Sequence, residues 1–474
     1  MTVKAFRIEN FMCFEDSGWI EVLPITLFYG HNSSGKSALL HSLLLLRQSL
    51  GSKPHQSPLI FAPDDGPDDS DSFDFGSYRE LVRDHDTDLS ISFWFKCSFK
   101  EELDEESTAT QTLCEGAALK KLGLQGTNVD IRLSYRLWPD ERHVGLQSVA
   151  LYDEAQDAFL DEEGELIWQA TAPKCSDQPW RFAFGRVEPA NFWHHTTLVV
   201  EEGFFPKLHS EEGQQESHPI GQLLCHLERS ISKFFQTLSY LRPMRPSPQR
   251  FYHLPKQAEK ANGQLFARLS SEEQQRAIKR INEWLAYSGI KVRLAVKPLD
   301  QDPTLYELLF SDTLTRRIPP FQANIREAGL GLYQVLPVVI ETLLAPSGST
   351  LLLEHPEQNL HPGVQAQLGD LFIQVAVRHK VRLLIETHSE TLIIRMRRRI
   401  AESTLGYVSP SEKCYLPYEA LKAYFVDRIT SESEVEMLYI NSEGGLWNRP
   451  QGFKGFFADD LRETVALGKA QLGR

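Results

Sequence analysis

Short apolar runs and alternating stretches open the chain. Residues 3–10 and 19–29 (WIEVLPITLFY) alternate or run apolar between turn signals, which predicts two or three strands leading into a glycine. Ser37 to Leu50 is apolar nearly all round and predicts a helix buried under a sheet. Between Asp88 and Glu201, runs such as LSISFWFKCSF, VDIRLSYRLW and VGLQSVALYD recur between charged or glycine-containing turns, predicting an antiparallel β region. Helical spacing follows over Ile220–Leu241 and Glu272–Tyr287. Strands IKVRLAV and LYELLFS, a helix from Leu332 to Leu344, the strand TLLLE, a helix from Gly363 to Arg378 and the strand VRLLIE complete the pattern. Buried strands alternating with helices on both sides of the middle predict one parallel α/β sheet split by an insertion.

Composition narrows the class without naming a function. The chain has 474 residues and a net charge of −14, long enough for roughly two to four lobes with a real core. Cys13, Cys97, Cys114, Cys175, Cys225 and Cys414 are scattered, with no CxxC pair, which argues against a disulfide framework or structural zinc and for a reducing, cytoplasmic compartment. The amino terminus has no apolar signal region, and Ala38–Leu46 is too short for a bilayer and holds His41 and Ser42, so no membrane association is expected. The acidic balance excludes a uniformly basic nucleic-acid coat but leaves room for a local groove. Phe61 to Asp74 (FAPDDGPDDSDSFD) reads as an exposed acidic loop.

One motif carries specific chemistry. Gly30-His31-Asn32-Ser33-Ser34-Gly35-Lys36-Ser37 fits GxxxxGK[ST] in full, after an apolar strand and at the opening of a helix. In such a loop the backbone N–H groups turn inward around phosphate oxygens, Lys36 holds the β and γ phosphates, and the Ser37 hydroxyl goes to Mg²⁺. Two later strands supply its partners. Leu351-Leu352-Leu353-Glu354 ends in a carboxylate where a P-loop NTPase places the acid of the Mg²⁺ site, and Leu383 to Glu386 runs into Thr387-His388-Ser389.

These segments resemble a family. GHNSSGKS, LLLEHPEQNLHP and LLIETHSE, with the long interval from Ser37 to Glu354, resemble the ABC-type ATPase heads of the structural-maintenance-of-chromosomes, RecF and overcoming-lysogenization-defect group. More closely, FDFGSYRELVRDHD, LSYLRPMRPSPQRFY, NIREAGLGLYQVLPVVIETL and ETHSETLIIRMRRRI are similar to bacterial AAA-annotated ATPases with a small uncharacterised C-terminal domain, many of them in anti-phage defence operons. The resemblance implies an α/β P-loop NTPase of the ABC/SMC-like head type with an antiparallel β subdomain and a helical insertion. It divides the chain into residues 1–95 and 299–410 as the two parts of the head, 96–204 as the β subdomain, 205–298 as the helical insertion and 411–474 as the C-terminal domain.

Carried over by position, Glu354 resembles the Walker B acid, Asn359–Pro362 the D-loop, and His388 the switch histidine that senses γ-phosphate. Gly329, Gly331, Tyr333 and Gln334 resemble the signature loop that caps the nucleotide of a second head, so the implied assembly is a homodimer or higher oligomer built head to tail around ATP and Mg²⁺. Two positions depart from the pattern. His355 stands where the catalytic glutamate normally follows the Walker B acid, leaving slow turnover or use of Glu357 as base. Tyr333 replaces the serine that usually reaches the partner's γ-phosphate.

Arginines at 395, 397, 398 and 399, after Arg378, Lys380 and Arg382, form the densest positive run, and Arg242, Arg245 and Arg250 form another. Such density suits salt-dependent DNA contact, and equally a solvated helix end. Trp447, Phe453, Phe456 and Phe457 suit partner docking, and equally the pinning of a tail. The leading expectation is an ATPase switch or sensor of an anti-phage defence complex, working with a separate effector such as a nuclease. The alternatives are a DNA repair or chromosome-maintenance ATPase, and a nucleotide-stabilised scaffold with little turnover.

Overall fold

The computed structural model describes residues 2–51, 57–62, 73–98, 128–138, 143–153, 165–172, 180–184, 196–199, 204–210, 219–245, 247–253, 274–299, 302–313, 322–410, 412–428 and 431–448. Most of the acidic loop and Phe453, Phe456 and Phe457 lie outside the described residues. The chain forms two compact units, one made of residues 1–22, 37–238 and 428–434, the other of residues 23–36, 239–427 and 435–474.

In the first unit, strands Phe14–Asp16, Thr2–Phe11, Ile91–Ser98, Asn128–Trp138, His143–Asp153, Glu165–Thr171 and Arg181–Phe184 lie side by side in that order, and Ile20–Glu21 also pairs with Thr2–Phe11. Every pairing is antiparallel. Alternation sets the faces: Arg7, Trp94 and Arg132 are cross-strand neighbours, and both guanidiniums lie about 5 Å from the indole centroid. Helix Pro219–Gln236 buries Leu223, Leu227, Ile231 and Phe235 along one stripe, and Phe235 meets Phe95 edge-on. The sequence carries helical spacing on to Leu241, but Leu238–Leu241 is a strand, because pairing with another strand outweighs the local period.

The second unit is built on a six-stranded sheet in the order Leu238–Leu241, Thr350–Glu354, Arg382–Thr387, Ile25–Gly30, Leu421–Asp427, Glu434–Leu438. Its four central strands are mutually parallel. They read as continuous apolar runs because both faces are covered, and Leu351–Leu353 and Leu383–Ile385 are at most 2% exposed. Helices Gln274–Tyr287, Leu330–Leu344, Pro362–Arg378 and Glu390–Thr404 contribute Ile281, Val338, Phe372 and Ile393 to the same core. Strand Leu421–Asp427, assigned by sequence to a separate C-terminal domain, pairs along the whole of Ile25–Gly30. The two helices assigned to one insertion fall in different units.

Candidate nucleotide site

Register places the site. Glu354 pairs with Glu386, and Glu386 with Phe28, so the carboxyl ends of three parallel strands reach one level. There the chain turns from Gly30 into the helix that begins at Lys36. Gly30 has φ 156°, and a Cβ on it would stand 2.0 Å from the Val426 carbonyl oxygen. Ser33 and Gly35 take φ of 60° and 103°, with Ser34 between them on the ordinary negative side. Such alternation is the backbone pattern of an anion nest, in which successive N–H groups turn toward one concavity. Lys36 is 3% exposed and its ammonium donates to the His31 carbonyl and the Ser34 hydroxyl. Burial lowers its pKa, opposed by Glu386 and Glu357. Ser37 follows as the second residue of the helix.

The acidic side faces this loop. Glu354 is buried and accepts a hydrogen bond from the Tyr240 phenol, whose pKa is driven far up by burial and then by Glu354 itself. His355 adopts φ 44°, a left-handed conformation for a non-glycine residue, with its N–H donating to the Glu386 carbonyl at 2.9 Å. Its ring Nε2 lies 3.5 Å from Glu386 Oε1, and its ring stacks on that of His388. Glu357 Oε1 accepts from the His388 N–H at 2.9 Å, while its Oε2 is buried with no partner. His388 Nδ1 lies 2.8 Å from the Gly30 carbonyl oxygen. Since a carbonyl only accepts, that nitrogen carries the proton and Nε2 is left as an acceptor. Burial, then Lys36, then His355 hold the His388 pKa down at about 4, and burial lowers that of His355. Both imidazoles are neutral at pH 7.

The signature-like segment is brought to the same place, with one residue turned away. Gly329 and Leu330 are exposed at the amino end of helix Leu330–Leu344. A Cβ on Gly331 would stand 3.5 Å from the Asn359 carbonyl oxygen, so the signature-like and D-loop segments are neighbours. Tyr333 is half-buried. Gln334, read as nucleotide-contacting, is 8% exposed and accepts from Arg245 Nη1 at 3.3 Å. Its amide is engaged inside the unit because Arg245 occupies the space behind the helix. His361 Nδ1 caps helix Pro362–Arg378 by accepting from the Gly363 N–H.

Three residues of the site escaped the sequence reading. Arg245 passed for surface charge, yet it is 7% exposed and donates through Nη2 to the carbonyl oxygens of Glu354 and His355 at 3.3 and 3.1 Å. Tyr240 sat inside a helical pattern, and Glu386 ended an apolar strand. The signal for Glu386 was available: a carboxylate at the end of the strand beside the Walker B strand shares its level.

The basic run also reads differently. Arg395 and Arg399 both clasp Asp370, with contacts of 2.6 and 2.8 Å; Arg397 donates to the Gly444 carbonyl, and Arg398 pairs with Glu402. Arg395 and Arg399 are therefore engaged in joining helix Glu390–Thr404 to helix Pro362–Arg378, while Arg398 pairs within its own helix and its side chain stays 63% exposed. A cavity of about 390 Å³ bordered by Trp284, Tyr287, Asp370 and Cys414 shares no residue with the nucleotide site.

The Ser37 hydroxyl and the Glu354 carboxylate are oxygen donors of the kind that suit Mg²⁺ held largely through phosphates and water, the lysine-bearing loop suits the phosphates themselves, and the buried Glu357 Oε2 without a hydrogen-bond partner fits a site made to receive polar groups. Among the described residues no group of three or more His, Cys, Asp or Glu could hold a metal ion by itself. No described helix is long and apolar enough to cross a membrane.

A family model described as "AAA domain, putative AbiEii toxin, Type IV TA system" matches residues 210–395. The match takes in Tyr240, Arg245, the signature-like segment, Glu354 and His388, and leaves the P-loop outside. No curated protein matches the chain. Solved structures similar to it include the SMC head domain from Thermotoga maritima, at 9% identity over 93% of this chain and 100% of that one with a TM-score of 0.37. An Smc head domain with an extended coiled coil, bound to the C-terminal domain of ScpA derived from Pyrococcus furiosus, shares 10% identity over 92% and 96% of the two chains, with a TM-score of 0.39. An SmcHead bound to the C-winged helix domain of ScpA shares 10% over 93% and 98%, with a TM-score of 0.40. The parallel sheet, with the strand–loop–helix passage from Ile25 through Gly30 to Lys36, is an α/β P-loop fold, and residues 210–395 are similar to an AAA domain.

Proposed function

We propose that the chain is an ATP-binding, slowly hydrolysing ATPase of the ABC/SMC-like kind that works as a nucleotide-controlled switch in a bacterial defence complex. The observation that carries the reading is the meeting of Lys36, Glu354, Glu357 and His388 at the carboxyl ends of three parallel strands. Lys36 and the loop amides hold the β and γ phosphates. Ser37 and Glu354 would hold Mg²⁺, which would supply neutralisation of phosphate charge. Glu357, with one oxygen fixed by the His388 N–H and the other available, orients and deprotonates the attacking water. His388 presents Nε2 to the same region, and His355, neutral and stacked, orients water without the basicity of a carboxylate, which supports slow turnover.

Exposure of Gly329 and Leu330, next to the Gly331 that faces Asn359, supports a head-to-tail pair closed over two nucleotides. The description of the matched family, a putative toxin of a type IV toxin–antitoxin system, supports a defence role, and a separately encoded effector partner is part of this proposal. Light scattering on Glu357→Gln tests the switch: a dimer with ATP and a monomer with ADP is the expected pattern. One mass under both nucleotides would contradict it.

A further inference from the structure

The segment from Leu238 to Arg245 lies against the Walker B strand in three ways. Leu238–Leu241 is its neighbour in the sheet, the Tyr240 phenol donates to the Glu354 carboxylate, and Arg245 donates to the main-chain carbonyls of Glu354 and His355. Arg245 also holds Gln334 Oε1, on the helix behind the signature-like loop. A guanidinium is suited to this: its fork fixes several acceptors at once in a planar array, which an ammonium cannot. The turn it grips needs fixing, because His355 is held at positive φ and an L-residue there is strained.

We propose that Arg245 is a positioning residue of the hydrolytic site, bracing the strained Glu354–His355 turn and tying it to the signature-side helix through Gln334. Arg245 acts through the carbonyls it holds. Two consequences follow. The geometry of the acid and of the His355–His388 stack depends on Arg245, and displacement of the signature-side helix reaches the turn through the Gln334 contact.

The proposal rests on the nucleotide reading above, so its test needs one arm that is independent of nucleotide. Full-length wild type, Arg245→Ala, Arg245→Lys and Tyr240→Phe are compared by histidine side-chain NMR without nucleotide, by binding of a fluorescent ATP analogue with and without Mg²⁺, and by steady-state phosphate release. In Arg245→Ala the ring resonances of His355 and His388 shift, kcat falls roughly 10–100-fold, and affinity without Mg²⁺ stays within about threefold of wild type. Arg245→Lys recovers part of kcat, and Tyr240→Phe loses the Mg²⁺ enhancement of affinity. A kcat within about twofold of wild type in Arg245→Ala overturns the proposal, as does loss of Mg²⁺-free affinity in step with kcat in Arg245→Lys, which marks a purely structural role. If wild type neither binds nor hydrolyses ATP, the nucleotide reading fails, and the histidine resonances alone decide: unshifted rings in Arg245→Lys and Arg245→Ala overturn the brace.

Discussion

His355 and His388 stack ring on ring, with centroids 4.7 Å apart and planes inclined by 12°. One follows the Walker B acid and the other follows the last residue of the neighbouring strand, Thr387, so the stack joins the two carboxyl-terminal turns that define the site. Two imidazolium rings at that distance would repel, and the nearby Lys36 ammonium opposes charging of either. The pair therefore works as neutral rings, and His388 enters the site as an acceptor at Nε2.

This neutrality has a pH consequence. His388, held at about 4, stays neutral in the fold long after an unfolded histidine near 6.5 has taken a proton. The stability it contributes is whole above about pH 6.5 and is lost as pH falls toward 4; His355, lowered as well, acts in the same direction. Side-chain NMR of the protein without nucleotide should show His388 titrating near 4, and the denaturation midpoint should drop between pH 6.5 and 4 beyond what a His388→Gln variant shows. A titration midpoint at 6.5 would contradict the geometry.

Glu357→Gln separates binding from chemistry. The amide keeps an oxygen for the His388 N–H and loses the basic one, so kcat should fall by about 10²–10⁴-fold while nucleotide affinity barely changes. Stopped-flow phosphate detection measures the first and calorimetry the second. An unchanged kcat would remove Glu357 as base.

Gly30→Ala tests the loop's packing. The new methyl would meet the Val426 carbonyl oxygen, a backbone atom on a strand paired to the loop's own strand, at a φ unsuited to a side chain. Unfolding free energy should drop by at least about 2 kcal/mol, with nucleotide binding lost in the fraction that folds. Wild-type thermal stability in this variant would show that the turn is looser than described.

Asp370→Ala tests the reassigned arginines. Burial raises the Asp370 carboxyl pKa, but hydrogen bonds from Arg399 and Arg395 outweigh it and the net shift is downward. Removal leaves the Arg395 guanidinium without its carboxylate and Arg399 with Glu402 alone, a loss on the order of 3 kcal/mol in denaturant unfolding. The same depressed carboxyl contributes stability above its unfolded pKa near 4 that vanishes in more acidic solution. A change below about 0.5 kcal/mol would return these arginines to the surface.

What was legible in the sequence was local. The phosphate loop is read from glycine spacing between a strand and a helix, and Glu354 from an apolar run ending in a carboxylate. Residues whose meaning depends on long-range pairing were not legible. Tyr240 and Arg245 meet the Walker B turn across more than a hundred residues of chain, and only the sheet order reveals it. Arginines at 395 and 399 look alike as charge until Asp370, from another helix, is seen between them. Strand Leu421–Asp427 carries no mark of its place in the parallel sheet, since a buried strand shows the same apolar run wherever it pairs.

The most direct measurement is a calorimetric titration of ATP with Mg²⁺ into wild type and Lys36→Ala. Lys36 lies in the anion nest with Glu357 and Glu386 around it, and its loss removes the cation that faces the phosphates. Saturable binding to wild type, and a loss of at least about 2 kcal/mol of binding free energy in a folded Lys36→Ala, is the predicted result. Equal affinity in the two proteins, or no binding to wild type, would contradict the assignment of this site to ATP.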